Sequence, residues 1–181
     1  MNYRYPCREE LTLKIILREA SPFDAEQTVG LIRDVHAEPI PTMPRTLDEV
    51  PYSPKTEREH IEYCAKTANS SFFVAEYEGR VVGLVTMDGG TIRATQHSAV
   101  LGILVDKDYR GQGIGKLLME QAIAWARSAD IQRIELNVFA TNEGAVALYK
   151  QFGFEIEGRR RKVLLVQGHW IDDYIIALLI T

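Results

Sequence analysis

"VDKDYRGQGIGKLL", residues 105–118, sets Arg110 beside Gly111, Gly113 and Gly115 at the seam between an apolar run and a helical pattern. Side chains are nearly absent at that seam, so whatever binds there meets main chain. Upstream, SAVLGILV (98–105) is almost wholly apolar and predicts a strand covered on both faces. Downstream, Ile114, Leu117, Leu118, Ala122 and Trp125 recur at helical spacing, and RIELNVF (133–139) puts Ile134, Leu136 and Val138 on one strand face. The unit is strand, glycine loop, helix, strand. Exposed amides followed by a helix N-terminus make an anion site, because unpaired N–H groups and the positive end of the helix dipole point the same way. A phosphate or diphosphate is the natural guest.

Spacing narrows the choice of phosphate ligand. A dinucleotide fold needs GxGxxG and an acid at the end of the next strand; here the glycines run GxGxG and no such acid follows. A P-loop needs four residues between its glycines and Ser or Thr after the lysine, but this loop has three, and Leu117 follows Lys116. A glycine turn that merely lets a strand meet a helix accounts for one or two glycines, not for Arg110 with three in alternation.

Arg110, Gly113 and Gly115 resemble the RxxGxG diphosphate loop of the GCN5-related N-acetyltransferase (GNAT) superfamily. A second signature, NEGAVALYKQFGF (142–154), matches that family's NxxAxxLYxxxGF pattern, in the expected order and separated from the first by a helix and a strand. The resemblance runs over about residues 72–181 and is nearest to the bacterial branch that holds ribosomal-protein alanine and small-amine acetyltransferases. It implies an α/β fold, the acyl-CoA N-acyltransferase fold, with a mixed central sheet of about seven strands flanked by about four helices. It also implies acetyl-CoA as co-substrate, no metal, and a primary amine as acceptor.

Residue roles follow from the same resemblance. Main-chain groups of Ile103, Leu104 and Val105 would pair with the pantetheine arm on a strand splayed from its neighbour, and one amide there would hold the carbonyl oxygen. Gly102 suits close backbone approach. Gly111, Gln112, Gly113, Ile114, Gly115 and Lys116 would wrap the diphosphate behind Arg110. Tyr149 would give a proton to the departing thiolate, since its hydroxyl is a donor through physiological pH; as a lone tyrosine on a helix stripe it also reads as a core aromatic. Asn142 would touch the cofactor near the chemistry, and equally suits an N-cap with Glu143 in the first turn. Ala145 would be small so that the cofactor can lie against the helix. Where some members carry a basic glutamate, this chain has Val100 and Asn137, so the base stays open among Glu135, His97 and ordered water. The competing class is a module that binds acetyl-CoA without turning it over.

The remainder of the chain fits one compact unit. With 181 residues, 46% apolar and 25% charged, it is long enough for one substantial core, and a single domain over 1–181 is expected. LTLKIILRE (11–19) predicts a first strand, and Ser21 and Pro22 open a helix. Residues 36–54 hold five prolines and read as a long shaped loop, followed by helical spacing over 55–68. Glu78 and Gly79 mark a tight hairpin, Gly153 a helix end, and Gln167 and Gly168 a final turn. Cys7 and Cys64 show no CxxC or Cys/His ligand spacing, so reduced thiols without a metal are expected. No apolar run spans a membrane, MNYRYPCREE lacks the apolar region of a signal peptide, and a cytoplasmic place is expected.

Charge bears on the partner. The formal net charge of −4 argues against a DNA-binding face. Residues 21–64 hold nine acids against four bases, a net −5, which reads either as a wall that attracts a cationic acceptor or as an ordinary solvated face. His36, Tyr52 and His60 border that segment without a pattern. RRRK (159–162) suits a charged hairpin edge better than a phosphate contact. YIIALLI (174–180) fits a homodimer edge as readily as a place within the sheet.

Overall fold

The computed structural model describes residues 14–38, 43–45, 47–49, 52–166 and 168–180. Seven strands are β1 (Ile16–Glu19), β2 (Ser71–Tyr77), β3 (Arg80–Gly89), β4 (Ser98–Val105), β5 (Arg133–Phe139), β6 (Glu155–Val166) and β7 (His169–Leu179). Four α-helices are α1 (Ala25–His36), α2 (Pro54–Lys66), α3 (Ile114–Ser128) and α4 (Glu143–Gln151). The strands form one sheet in the order β1-β2-β3-β4-β5-β7-β6. Every neighbouring pair is antiparallel except β4 and β5.

Local chemistry accounts for the joints. Glu78 at φ 49° and Gly79 at φ 79° give the doubly left-handed turn whose twist matches the flanking strands β2 and β3. Ser53 caps α2 by accepting from the Thr56 amide at 3.2 Å while Thr56 Oγ1 accepts from the Ser53 amide at 2.9 Å, and Pro54 takes the position that needs no donor. Gly153 at φ 85° ends α4.

Strand alternation feeds two cores. Val82, Val85, Met87, Ala99 and Leu101 pack with Ile114, Leu118, Met119 and Ala122 of α3 and Tyr149 of α4. Phe72, Val74, Val81 and Leu84 pack on the opposite face with Leu31, Ile32 and Val35 of α1 and Ile61 of α2. Each large side chain buried here, such as Leu118, contributes about 1.5–3 kcal/mol relative to exposure.

Some expectations change. The first strand covers only Ile16–Glu19, with residues 11–13 outside the described set. Ser21 and Pro22 open a 3-10 turn (Pro22–Asp24) and α1 starts after it, because Asp24 accepts from the Ser21 amide at 2.7 Å and closes that turn first. Strand β4 is not covered on both faces: Val100 is 50% exposed, since α1 and α2 leave that part of the sheet open. Leu117 is 38% exposed on the outer flank of α3. Tyr174–Ala177 of YIIALLI lie inside the sheet, paired on both sides by β5 and β6, whereas Leu178 and Leu179 pair with β5 alone. The RRRK run does lie on the edge strand, where Arg159 and Arg160 pair with Asp172 and Asp173 of β7. Gln167 and part of the proline-rich connection (39–42, 46, 50 and 51) lie outside the described residues, as does Cys7.

Candidate active site

Strand β4 delivers the chain to the glycine loop through a braced corner. Asp106, 5% exposed, accepts from the Asp108 amide at 3.0 Å and pairs with Arg80 at 2.6 Å, while its own amide donates to the Val82 carbonyl. Gly111 (φ 74°) and Gly113 (φ 84°) adopt the left-handed conformation, and Gly113 is the N-cap of α3. A Cβ at either glycine would meet nothing within 4 Å, so the amide-bearing surface is open to a ligand. At Gly115 the missing side chain also serves packing: a Cβ would stand 3.3 Å from Leu148 of α4. The first amides of α3 have no intrahelical acceptor, which fits the bare loop to an anion. Gln112 folds back to the Asp108 carbonyl at 3.2 Å, and Lys116 lies 3.8 Å from Glu120.

Arg110 is directed elsewhere. Its Nε donates to the Val105 carbonyl at 2.9 Å and its terminal nitrogens grip both carboxylate oxygens of Glu38 at 2.9 and 2.6 Å. The loop's arginine thereby ties the residues just beyond α1 to the exit of β4.

Beside the loop the sheet opens. Strands β4 and β5 pair only at Ser98 with Arg133, Ala99 with Ile134 and Val100 with Glu135. Beyond Val100, β4 has no strand partner on that side among the described residues, so main-chain groups of residues 101–105 face a gap. Ile103, Leu104 and Val105 are half-buried along it. The close approach at Gly102 is to Thr86 of β3, whose Oγ1 would lie 2.9 Å from an added Cβ.

Helix α4 brings the second motif to the same core. Tyr149 is 6% exposed and packs its ring at 5.8 Å from that of Phe154. Burial pushes its phenol up to about 12. Its hydroxyl has no partner among the described residues. Ile103, Val105 and Ala145 pack against the cluster that holds Tyr149 and Ile114, whereas Leu104 packs on the other face of the sheet. Asn142 caps α4, its Oδ1 accepting from the Ala145 amide at 3.2 Å. Asn142→Ala is expected to cost about 1 kcal/mol of stability, and Asn142→Ser to restore it, in chemical denaturation.

On the side opposite α3 and α4, an open cleft of about 410 Å³ is lined by Asp88, Ile92, Val100 and Glu135 among others. Glu135 is held by Arg133 at 2.9 Å, and Arg133 also grips Glu157. His97 contributes its carbonyl to the Gln132 and Arg133 amides. Asn137 is exposed on β5. Sequence reading missed Asp88, which stands directly across the ladder from Val100 and accepts a 2.8 Å contact from His60 of α2. The hydrogen bond to Asp88, then the one to Cys64, raises the His60 imidazole to about 10.

The acidic segment is partly paired. Asp24 pairs with Arg18, Glu38 with Arg110, Glu59 with Lys55 and Glu62 with Lys66, while Glu57 is 2% exposed. Glu26 and Asp34 stay exposed on α1.

A loop of open amides at a helix N-terminus, beside a slot between diverging strands and a second motif on the adjoining helix, fits an acyl-CoA-dependent transferase. Comparison with known proteins gives the family. Residues 32–154 match the model of the acetyltransferase (GNAT) family. The L-amino acid N-acetyltransferase AaaT of Escherichia coli is 34% identical over 168 residues, covering 91% of this chain and 97% of the relative. The crystal structure of a GNAT-family acetyltransferase from Streptococcus pneumoniae superposes with a TM-score of 0.88 at 30% identity, covering 92% of this chain and 100% of the other. A third structure, yncA of Salmonella typhimurium with its cofactor acetyl-CoA, shares the fold at a TM-score of 0.84 and 16% identity, over 93% and 95% of the two chains. The chain belongs to the acetyltransferase (GNAT) family. It is an acetyl-CoA-dependent N-acetyltransferase, and its sheet and helices are those of the family's fold. Among the described residues no helix is long and apolar enough to cross a membrane.

Proposed function

We propose that this enzyme moves the acetyl group of acetyl-CoA to the α-amine of a free L-amino acid, by direct attack within a ternary complex. The observation that carries this is the cleft on Val100 and Glu135, which opens where β4 and β5 part and has the volume of a small-molecule site. The near full-length likeness to an L-amino acid N-acetyltransferase supports the same class.

In this reading the amides of Gly111 to Lys116 hold the diphosphate, and main-chain groups of Ile103, Leu104 and Val105 complete their ladder with the pantetheine arm. The amine nitrogen attacks the thioester carbonyl carbon, an amide of β4 holds the oxyanion, and the C–S bond breaks. Tyr149 gives its proton to the leaving thiolate, and the amine's surplus proton passes to water in the cleft beside Glu135. No cysteine or serine stands in a nucleophile motif, so no acetyl-enzyme is needed.

Tyr149→Phe is expected to lower kcat about tenfold with KM for acetyl-CoA unchanged. That is below the usual 10²–10⁴ of acid–base catalysis, because a thiolate is a good leaving group that needs little protonation. Because burial raises the phenol, the wild-type rate should show no loss of the acid below pH 10, read in a pH–rate profile.

The test of the acceptor is thiol release from acetyl-CoA with L-amino acids, polyamines and basic peptides against a blank. Release led by amino acids supports the proposal, and release led by peptides replaces it with a protein N-terminus. Silence throughout, with acetyl-CoA still raising Tm, points to a binding module or to a protein acceptor outside the panel.

A further inference from the structure

One face of α2 carries a donor set that acetyl transfer leaves unused. Glu57, His60 and Cys64 recur at helical spacing and share that face, which packs on β2 and reaches β3 through His60. From β3, Asp88 Oδ1 lies 2.8 Å from His60 Nε2. One donor atom each from His60, Cys64 and Asp88 lies within 4.8 Å of the other two. Bonds of about 2.0–2.3 Å from tetrahedral zinc to N, O and S place ligand atoms roughly 3.3–3.8 Å apart, so side-chain shifts on the order of 1 Å close the set.

Glu57 is an independent observation. It is 2% exposed, its carboxyl has no hydrogen-bond partner among the described residues, and its charge couples to His60 and Asp88. A carboxylate buried without a partner is unfavourable, and a neighbouring cation relieves it.

We propose that His60, Cys64 and Asp88 bind a first-row divalent cation of the zinc class, with Glu57 as the buried carboxylate beside it. Imidazole, thiolate and carboxylate together select such an ion over calcium or magnesium, which take oxygen ligands. Binding sends the Cys64 thiol proton to solvent, and the cation takes the place of the proton shared by His60 and Asp88. Asp88 also walls the acceptor cleft, so the ion clamps α2 to β3 at the edge of that cleft. The sequence shows no Cys/His ligand pattern on a linear reading; the pair sits four residues apart on a helix, and the third ligand comes from a strand 24 residues after Cys64.

The experiment uses the full chain without a histidine tag, stripped with EDTA and titrated with Co²⁺ and then Zn²⁺. One equivalent of Co²⁺ should bring thiolate-to-metal charge-transfer absorption with tetrahedral visible bands, both removed by Zn²⁺, and Zn²⁺ but not Mg²⁺ should raise Tm. Cys64→Ser should abolish the charge-transfer band. Asp88→Asn, at a half-exposed side chain, should leave the chain folded with a modest fall in apo Tm from the lost His60 pair, and weaken binding at least about tenfold. No band at a large excess of Co²⁺, an unchanged band in Cys64→Ser, or wild-type affinity in Asp88→Asn overturns the site. None of these readouts depends on acetyl transfer.

Discussion

Gly113→Val is expected to weaken acetyl-CoA binding at least about 100-fold, or about 2.7 kcal/mol, while the protein still folds. Two effects add. At φ 84° a β-branched residue is strained by about 1–3 kcal/mol, and the loop escapes by turning its amides away from the ligand. Where the loop keeps its shape, the new methyls occupy the open space above Gly113 through which a phosphate must reach the amides. That space is also why the apo fold survives, since a Cβ there strikes nothing. Gly115→Ala is the internal comparison, because its Cβ meets only the tip of Leu148 at 3.3 Å, and its effect should be several-fold smaller. Titration calorimetry with acetyl-CoA measures both; equal affinity in Gly113→Val and wild type removes the loop as the diphosphate site.

Asp24→Asn is expected to lower stability by about 2–3 kcal/mol, which for a chain of this size is a fall in Tm of roughly 5–10 °C. Asp24 is 5% exposed and takes both terminal nitrogens of Arg18, at 2.7 and 2.8 Å, together with the amide and hydroxyl of Ser21. Arg18 also holds Glu76, so this one carboxylate fastens β1 and the turn before α1 to β2. The Arg18 hydrogen bonds hold the Asp24 carboxyl below its ordinary range. A depressed carboxyl contributes fully above the unfolded value of about 3.9 and loses its contribution as pH falls through the folded value. The gap in Tm between wild type and Asp24→Asn should therefore be constant from pH 5 to 8 and narrow below about pH 4. A gap that persists at pH 2 contradicts this account.

The order of strands and helices was legible because its signals are local. Apolar periodicity marks β2, β3, β5 and α3, and Glu78, Gly79 and Gly153 need left-handed backbone where the chain turns. The two motifs were legible for the same reason, since a loop of bare amides writes its glycines in a row. What escaped is made by residues far apart in sequence. Arg110 reads as a phosphate ligand until Glu38, 72 residues away, is found on its guanidinium. Val100 reads as core until the sheet is seen to open beside it. Arg18 and Arg110 neutralise Asp24 and Glu38 on either side of α1, pairings that lie outside any local reading of the acidic segment. Asp88 carried no local signal at all, because its role is fixed by the register that sets it opposite Val100 and beneath His60.

Most sheets present unsatisfied ladder groups only at their two outer strands. This one has a third margin in mid-molecule, where β4 leaves β5 after Val100. Amide hydrogens of residues 101–105 that point into the gap have only water to bond, so in the free protein they exchange with solvent as readily as those of a surface strand. Their neighbours that bond β3 stay protected. Backbone as open as that of a surface strand therefore runs through the centre of the molecule, and a ligand that lays an extended chain along it would close it.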